Sequence, residues 1–122
     1  MNILAIDYGK KRIGLAWTDT GVGVVLPYGI VLNEKELISL IKKEGIQKVV
    51  IGLPTGLDGK ENENTKNVRK FGEKIENETK IKIDFVDERF SSAAADRMDG
   101  SGASRDEKAA MVILQTYLES RK

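Results

Sequence analysis

Acidic residues in three distant parts of the chain stand where a carboxylate could do chemistry. Asp7 follows Ile3-Leu4-Ala5-Ile6, a wholly apolar run. Asp87 and Glu88 end a run whose Ile81, Ile83, Phe85 and Val86 are apolar. Asp106 precedes Ala110, Ile113, Leu114 and Tyr117, which fall on one helical stripe; position 106 lies on that stripe one turn earlier. Glu107 lies around the turn and suits a capping box with Ser104. The chain has no histidine and no cysteine. Hydrolytic chemistry must therefore run on carboxylates, hydroxyls, lysines or a metal held by oxygen. Crowded carboxylates repel by about 4 kcal/mol per close pair near a surface. Either some are protonated or a divalent cation neutralises them. All-oxygen ligation suits Mg²⁺ or Mn²⁺. Such a site activates water and stabilises an in-line phosphoryl transition state, with two ions about 4 Å apart in the general scheme.

Each acid also has a plainer reading. Asp7 could open an Asp-x-Gly turn. Asp87 and Glu88 could be solvated acids paired with Arg89. Asp106 could complement a helix macrodipole. The cations divide the same way: Lys10, Lys11, Arg12 and Arg89 either lie solvated at turns or meet phosphates. The segment Gly52 to Gly59 follows a buried strand, as phosphate-binding loops do, but lacks their Gly-Lys-Ser/Thr ending. It reads as a surface loop. Tyr8 and Trp17 fall in strands and read as core, so no ladder of aromatics offers itself to single-stranded bases.

The elements that must position these residues follow from periodicity. Strands are expected over Ile3–Ile6, Ile13–Thr18, Val22–Leu32 with an irregular middle at Pro27 and Gly29, Lys48–Leu53, and Ile81–Val86. Asn33 caps a helix over Glu34–Glu44, with Glu36 placed for a capping box and Gly45 as its stop. A polar helix covers Thr65–Asn77, a short one runs from Ser91 or Ser92 to Met98, and a last one spans Arg105–Glu119. Asp99–Ala103 reads as a flexible link. The order β-β-β-α-β-α-β-α-α predicts an α/β fold, a mixed sheet flanked by helices.

Composition narrows the classes. The 122 residues suit one domain, 1–122, and 40% hydrophobic content suits a globular core. No apolar run approaches the roughly 20 residues of a membrane span. Met1 leads straight into a strand pattern, with no signal-peptide architecture. A net charge of +1 argues against coating nucleic acid by bulk electrostatics, so any contact must be a local patch.

Four motifs in order resemble the YqgF/RuvX family. They are Ile6-Asp7-Tyr8-Gly9-Lys10-Lys11-Arg12-Ile13-Gly14-Leu15-Ala16, then Val50-Ile51-Gly52-Leu53-Pro54 with Asp58-Gly59. Asp87-Glu88-Arg89-Phe90-Ser91-Ser92 and Asp106 to Leu118 complete the set. Phe90-Ser91-Ser92 stands where Leu-Thr-Thr is usual in the family, and no basic cluster precedes Asp106. The resemblance implies an RNase H-like fold with a five-stranded sheet. It implies a metal-dependent nuclease with Asp7, Glu88 and Asp106 as metal-binding acids, Asp87 being the weaker candidate. In this reading Lys10, Lys11, Arg12 and Arg89 hold phosphates, and Mg²⁺ or Mn²⁺ is the cofactor. The expected partner is nucleic acid in the cytoplasm, a structured RNA precursor before branched DNA. The expected assembly is a monomer or weak homodimer, because two symmetric cuts in a junction need a dimer and nothing marks its interface. Holliday-junction resolution is the alternative activity. A nucleotide-binding or catalytically idle RNA- or protein-binding module is the alternative of another class.

Overall fold

The computed structural model describes residues 1–9, 11–55, 60–87 and 104–120. The described strands are β1 Asn2–Tyr8, β2 Ile13–Asp19, β3 Leu26–Val31, β4 Lys48–Leu53 and β5 Ile83–Asp87. The described helices are α1 Glu34–Lys43, α2 Glu63–Thr79 and α3 Arg105–Ser120. The strands form one mixed sheet in the order β3-β2-β1-β4-β5. β1, β2 and β3 pair antiparallel as successive hairpins, while β4 and β5 run parallel to β1.

The sheet buries both faces, and the strands' period of two sorts their side chains. Leu4 and Ile6 of β1 join Leu15, Val49, Ile51, Leu37, Ile41, Phe71 and Ile75 beneath α1 and α2. Ile3 and Ala5 face the other way, against Ala16, Val50, Ala110, Ile113, Leu114 and Tyr117 of α3. Ala5, Ala16 and Ala110 are small, which lets α3 lie close to the sheet. Gly72 does the same for α2: a Cβ there would stand 2.7 Å from Cζ of Phe85.

Most expected elements are present with shifted ends. β3 begins at Leu26 rather than Val22. The amides of Val22 and Gly23 donate to the Asp19 carbonyl at 3.0 and 2.9 Å, and the Thr18 hydroxyl donates to the Val24 carbonyl at 2.7 Å. These bonds commit 19–24 to a turn. α2 begins at Glu63, because Asn62 caps it and Thr65 closes a capping box from inside the helix. Buried Thr65 also donates to the Pro54 carbonyl, tying the helix start to the end of β4. α2 runs past Asn77 to Thr79 and stops where Lys80 takes a left-handed conformation at φ 60°. In α1, Asn33 accepts from the Glu36 amide as expected, but Glu36 reaches back to the Leu32 amide, one residue before the cap. β5 starts at Ile83. The short helix expected after Ser91, the link Asp99–Ala103 and the loop 56–59 lie outside the described residues.

Candidate active site

Asp7 occupies the carboxyl end of β1, the central strand. It shares parity with Ile3 and Ala5, so alternation carries its side chain to the α3 side. Its direct partner across the hairpin is Gly14 of β2. A Cβ on Gly14 would collide with the Asp106 carbonyl and stand 2.9 Å from the Asp106 Cβ. A residue without a side chain is what lets the first turn of α3 settle on β2 at this point. Opposed residues in an antiparallel pair have Cβ atoms about 4.5–5.5 Å apart, so the Cβ atoms of Asp7 and Asp106 lie within about 8 Å. Two carboxylates from opposite ends of the chain thus share one corner of the sheet.

α3 is bolted into that position at its N-terminus. Ser104 and Glu107 form the expected capping box. The Ser104 amide and hydroxyl donate to Glu107 Oε1 at 3.1 and 2.9 Å, and the Glu107 amide donates to Ser104 Oγ at 3.3 Å. The other oxygen of Glu107 accepts from the Gly29 amide at 2.7 Å. That donor is made available by an irregularity in β3. The register slips between Leu15 and Ala16, which face Gly29 and Pro27, and Gly29 has φ 91°. Burial pushes the Glu107 carboxyl up, but the Ser104 and Gly29 amides and the Ser104 hydroxyl outweigh it. The group is held below the ordinary glutamate value.

Asp106 projects beside this anchor, about one-third exposed, with Arg12 Nε 3.4 Å from its Oδ2. Arg12 itself is largely exposed. It sits in the β1–β2 turn, which Gly9 closes by donating its amide to the Arg12 carbonyl at 3.1 Å. A Cβ on Gly9 would approach that oxygen to 2.5 Å, so the Asp-x-Gly spacing serves the turn as well as the acid. The turn expected at Asp7 is therefore present. Lys11 lies exposed in the same turn. Lys10, Glu88 and Arg89 lie outside the described residues.

Asp87 belongs elsewhere. Ile83 and Phe85 share its parity and pack on the α1–α2 side. Its Oδ1 accepts from the Thr55 hydroxyl at 3.0 Å, across to the segment after β4. Alternation along β5 thus separates it from Asp7 and Asp106. Among the described residues, no group of three acidic, histidine or cysteine side chains gathers for a metal. The pair Asp7 and Asp106 offers carboxylate oxygens alone, a donor set that fits Mg²⁺ or Mn²⁺.

Sequence reasoning missed two features. Gly14 reads in sequence as one more strand residue, although a glycine opposite a candidate acid is itself a sign of close backbone approach. The second is a neutralised acid further down the same face. Lys48 Nζ lies 2.7 Å from Asp84 Oδ2, and the Tyr117 hydroxyl donates to that oxygen at 3.0 Å. The Lys48 ammonium also stands 5.1 Å from the Tyr117 ring centre. Lys48 holds the Asp84 carboxyl below its usual range, and Asp84 in turn raises Lys48.

A family model described as Holliday junction resolvase, RuvX, matches residues 1–120. A protein named putative pre-16S rRNA nuclease from Maridesulfovibrio salexigens is 36% identical, covering 97% of this chain and 98% of the relative. One of the same name from Dictyoglomus turgidum is 37% identical, covering 98% and 95%. Among solved structures, Thermus thermophilus RuvC in complex with a Holliday junction substrate superposes with a TM-score of 0.71. The identity is 12%, and the match covers 99% of this chain and 96% of that one. A second structure of RuvC from the same organism gives 0.67. These structures carry the fold, and the RNase H-like architecture is the one found here.

Proposed function

The chain belongs to the RuvX family, and from that premise we propose that it is a divalent-metal-dependent nuclease maturing the 5′ end of the small-subunit ribosomal RNA precursor. The observation that carries this reading is the placement of Asp7 and Asp106 over Gly14 at the carboxyl end of β1. Curated relatives at 36% and 37% identity over nearly their whole length carry the precursor-rRNA nuclease name.

Asp7 and Asp106 would hold Mg²⁺ or Mn²⁺, with Glu88 as the proposed third acid. Asp87 shares the parity of Ile83 and Phe85, which face the α1–α2 side, and the family motif points to Glu88 in its place. The bound ion would supply Lewis acidity toward the phosphate and lower the pKa of a water molecule. The chain's own part is positional. Gly14 and the Glu107–Gly29 bond fix where Asp106 stands, and β1 fixes Asp7. Arg12 neutralises charge at the rim and, with Lys10, Lys11 and Arg89, would contact backbone phosphates. No helix among the described residues is long and apolar enough to cross a membrane, and we place the protein in the cytoplasm as a monomer or weak homodimer.

The family description favours a second reading, resolution of a four-way DNA junction. Both are tested by incubating the wild-type protein with a 5′-extended rRNA precursor and with a synthetic junction, each in Mg²⁺, Mn²⁺ and EDTA. The RNA is expected to be cut in either metal and spared in EDTA. Cutting of the junction alone would transfer the conclusion to the second reading. Cutting of neither would contradict a nuclease acting unaided.

A further inference from the structure

The residue after Asp7 faces the other way. Tyr8 falls on the α1–α2 side of the sheet, where its ring meets Phe71 edge to face with centroids 4.0 Å apart. The expectation that Tyr8 is plain core holds only in part, because its side chain is half-buried and borders two adjoining hollows. The first hollow, of about 440 Å³, is lined on its helical wall by Asn64, Asn67, Lys70 and Lys74. These positions are three or four residues apart and so form one stripe of α2. The second hollow lies across Tyr8, bounded by Gly9 of the β1–β2 turn and by the start of α1. One acid, Glu34, borders both hollows, and Lys74 Nζ pairs with it at 2.6 Å. Lys70 is exposed on the same rim.

We propose that this groove is a subsite for one unpaired nucleotide of the strand being cut, held beside Tyr8 and read by Asn64 and Asn67. The inference rests on the nuclease reading above and adds a place for the substrate beyond the scissile bond. The chemistry of the walls is that of a nucleotide. An aromatic ring offers a stacking partner. Two carboxamides each carry donors and an acceptor that can match a base edge. Lys70 supplies a cation for a phosphate. Position supplies the rest: Asp7 and Tyr8 are consecutive, so a strand passing over the end of β1 meets the acids on one side and the groove on the other. Phe71 backs the Tyr8 ring and restricts its rotation, which lowers the ordering cost of stacking.

A short 5′-labelled single-stranded oligoribonucleotide, with metal withheld by EDTA, provides the test through fluorescence anisotropy. Tyr8→Ala is expected to weaken binding about 5- to 150-fold, the range for one base stacked on an aromatic side chain, while Tyr8→Phe stays near wild type. Because Tyr8→Ala also removes a packing contact, Lys70→Ala on the exposed rim is the second variant. It should lower the slope of log affinity against log salt by about 0.7, one phosphate contact to a single strand. Wild-type affinity and salt slope in the folded variants would overturn the subsite. So would adenosine or uridine monophosphate binding as tightly as the oligonucleotide, since the groove would then hold a free nucleotide. Cleavage does not enter this measurement. Oligonucleotide binding that depends on Tyr8 without any cleavage in Mg²⁺ or Mn²⁺ would keep the groove and sink the nuclease; cleavage without Tyr8-dependent binding would do the reverse.

Discussion

The two ends of α3 treat acidic residues in opposite ways. Near its C-terminal end Asp84 meets Lys48 at 2.7 Å and the Tyr117 hydroxyl at 3.0 Å, and the Lys48 side chain is only 13% exposed. That acid is neutralised inside the fold. At its N-terminal end Asp106 is brought beside Asp7, a second carboxylate, with a largely exposed arginine at 3.4 Å. The first arrangement stabilises the protein, whereas the second sets two carboxylates at one corner, where we propose that a divalent cation adds to the neutralisation Arg12 provides. On this proposal, what the fold sets beside an acid decides its role. Burial alone would not reveal this, because Asp7, Asp84 and Asp106 are all half-buried.

The contrast breaks most sharply under charge removal. Asp7→Asn and Asp106→Asn are each expected to lower cleavage at least about 100-fold, the loss of several kcal/mol of metal-borne stabilisation. Both should melt at or above the wild-type temperature, because repulsion is relieved. Asp84→Asn should do the reverse. It weakens a charge-assisted bond and leaves Lys48 poorly paired, at about 1.5–3 kcal/mol, seen as a melting temperature lower by several degrees with kcat retained. If Asp84→Asn abolished cutting without loss of stability, the division between the two ends would fail.

Gly14→Ala and Gly72→Ala sharpen the comparison. Each adds one methyl group where a helix meets the sheet. At Gly14 the obstacle is the Asp106 backbone, which cannot swing aside, so overpacking of about 1–3 kcal/mol is expected together with a fall in kcat. At Gly72 the obstacle is the end of the Phe85 ring, so melting should shift while kcat holds.

Smaller again is the effect of acid. Glu107 and Asp84 both have carboxyls held below their unfolded values. Their stabilisation is complete above those unfolded values, 4.5 and 3.8, and is lost as pH falls through the lower folded ones. Glu107→Gln should cost about 1 kcal/mol at neutral pH, as a lost cap does, and should flatten the acid limb of a stability–pH curve. Lys48 is raised, so its share persists at low pH and is lost only as pH rises through its folded value, above 10.5. An unchanged acid limb in Glu107→Gln would show that the Gly29 bond does not anchor the site. The smallest shift is expected from Arg12→Gln. An ion pair this exposed is worth about 0–1 kcal/mol, so melting should hold while the KM for nucleic acid rises.

Much of this was legible in the chain. The stripe from Asp106 through Ala110 to Tyr117 announced both α3 and its buried face, and Ser104 with Glu107 announced its cap. The apolar runs announced β1 and β4. What escaped depended on pairings between distant residues. Nothing local in Asp84 shows that Lys48 will stand beside it, since their juxtaposition is a product of strand order. Asp87 and Glu88 are indistinguishable as types, and the strand's parity, set by packing of Ile83 and Phe85, takes Asp87 to the far face. β3 starts later than its residue types suggest, because Val22 and Val24 look like strand residues yet both are exposed in a turn held by Asp19 and Thr18.

The most direct test of the central claim is Mn²⁺ binding, followed by calorimetry or electron paramagnetic resonance in the absence of nucleic acid. Wild type and Asp84→Asn should bind the ion alike, whereas Asp7→Asn and Asp106→Asn should each lose at least about tenfold in affinity. Equal Mn²⁺ affinity in all four folded proteins would contradict a cation site built from Asp7 and Asp106.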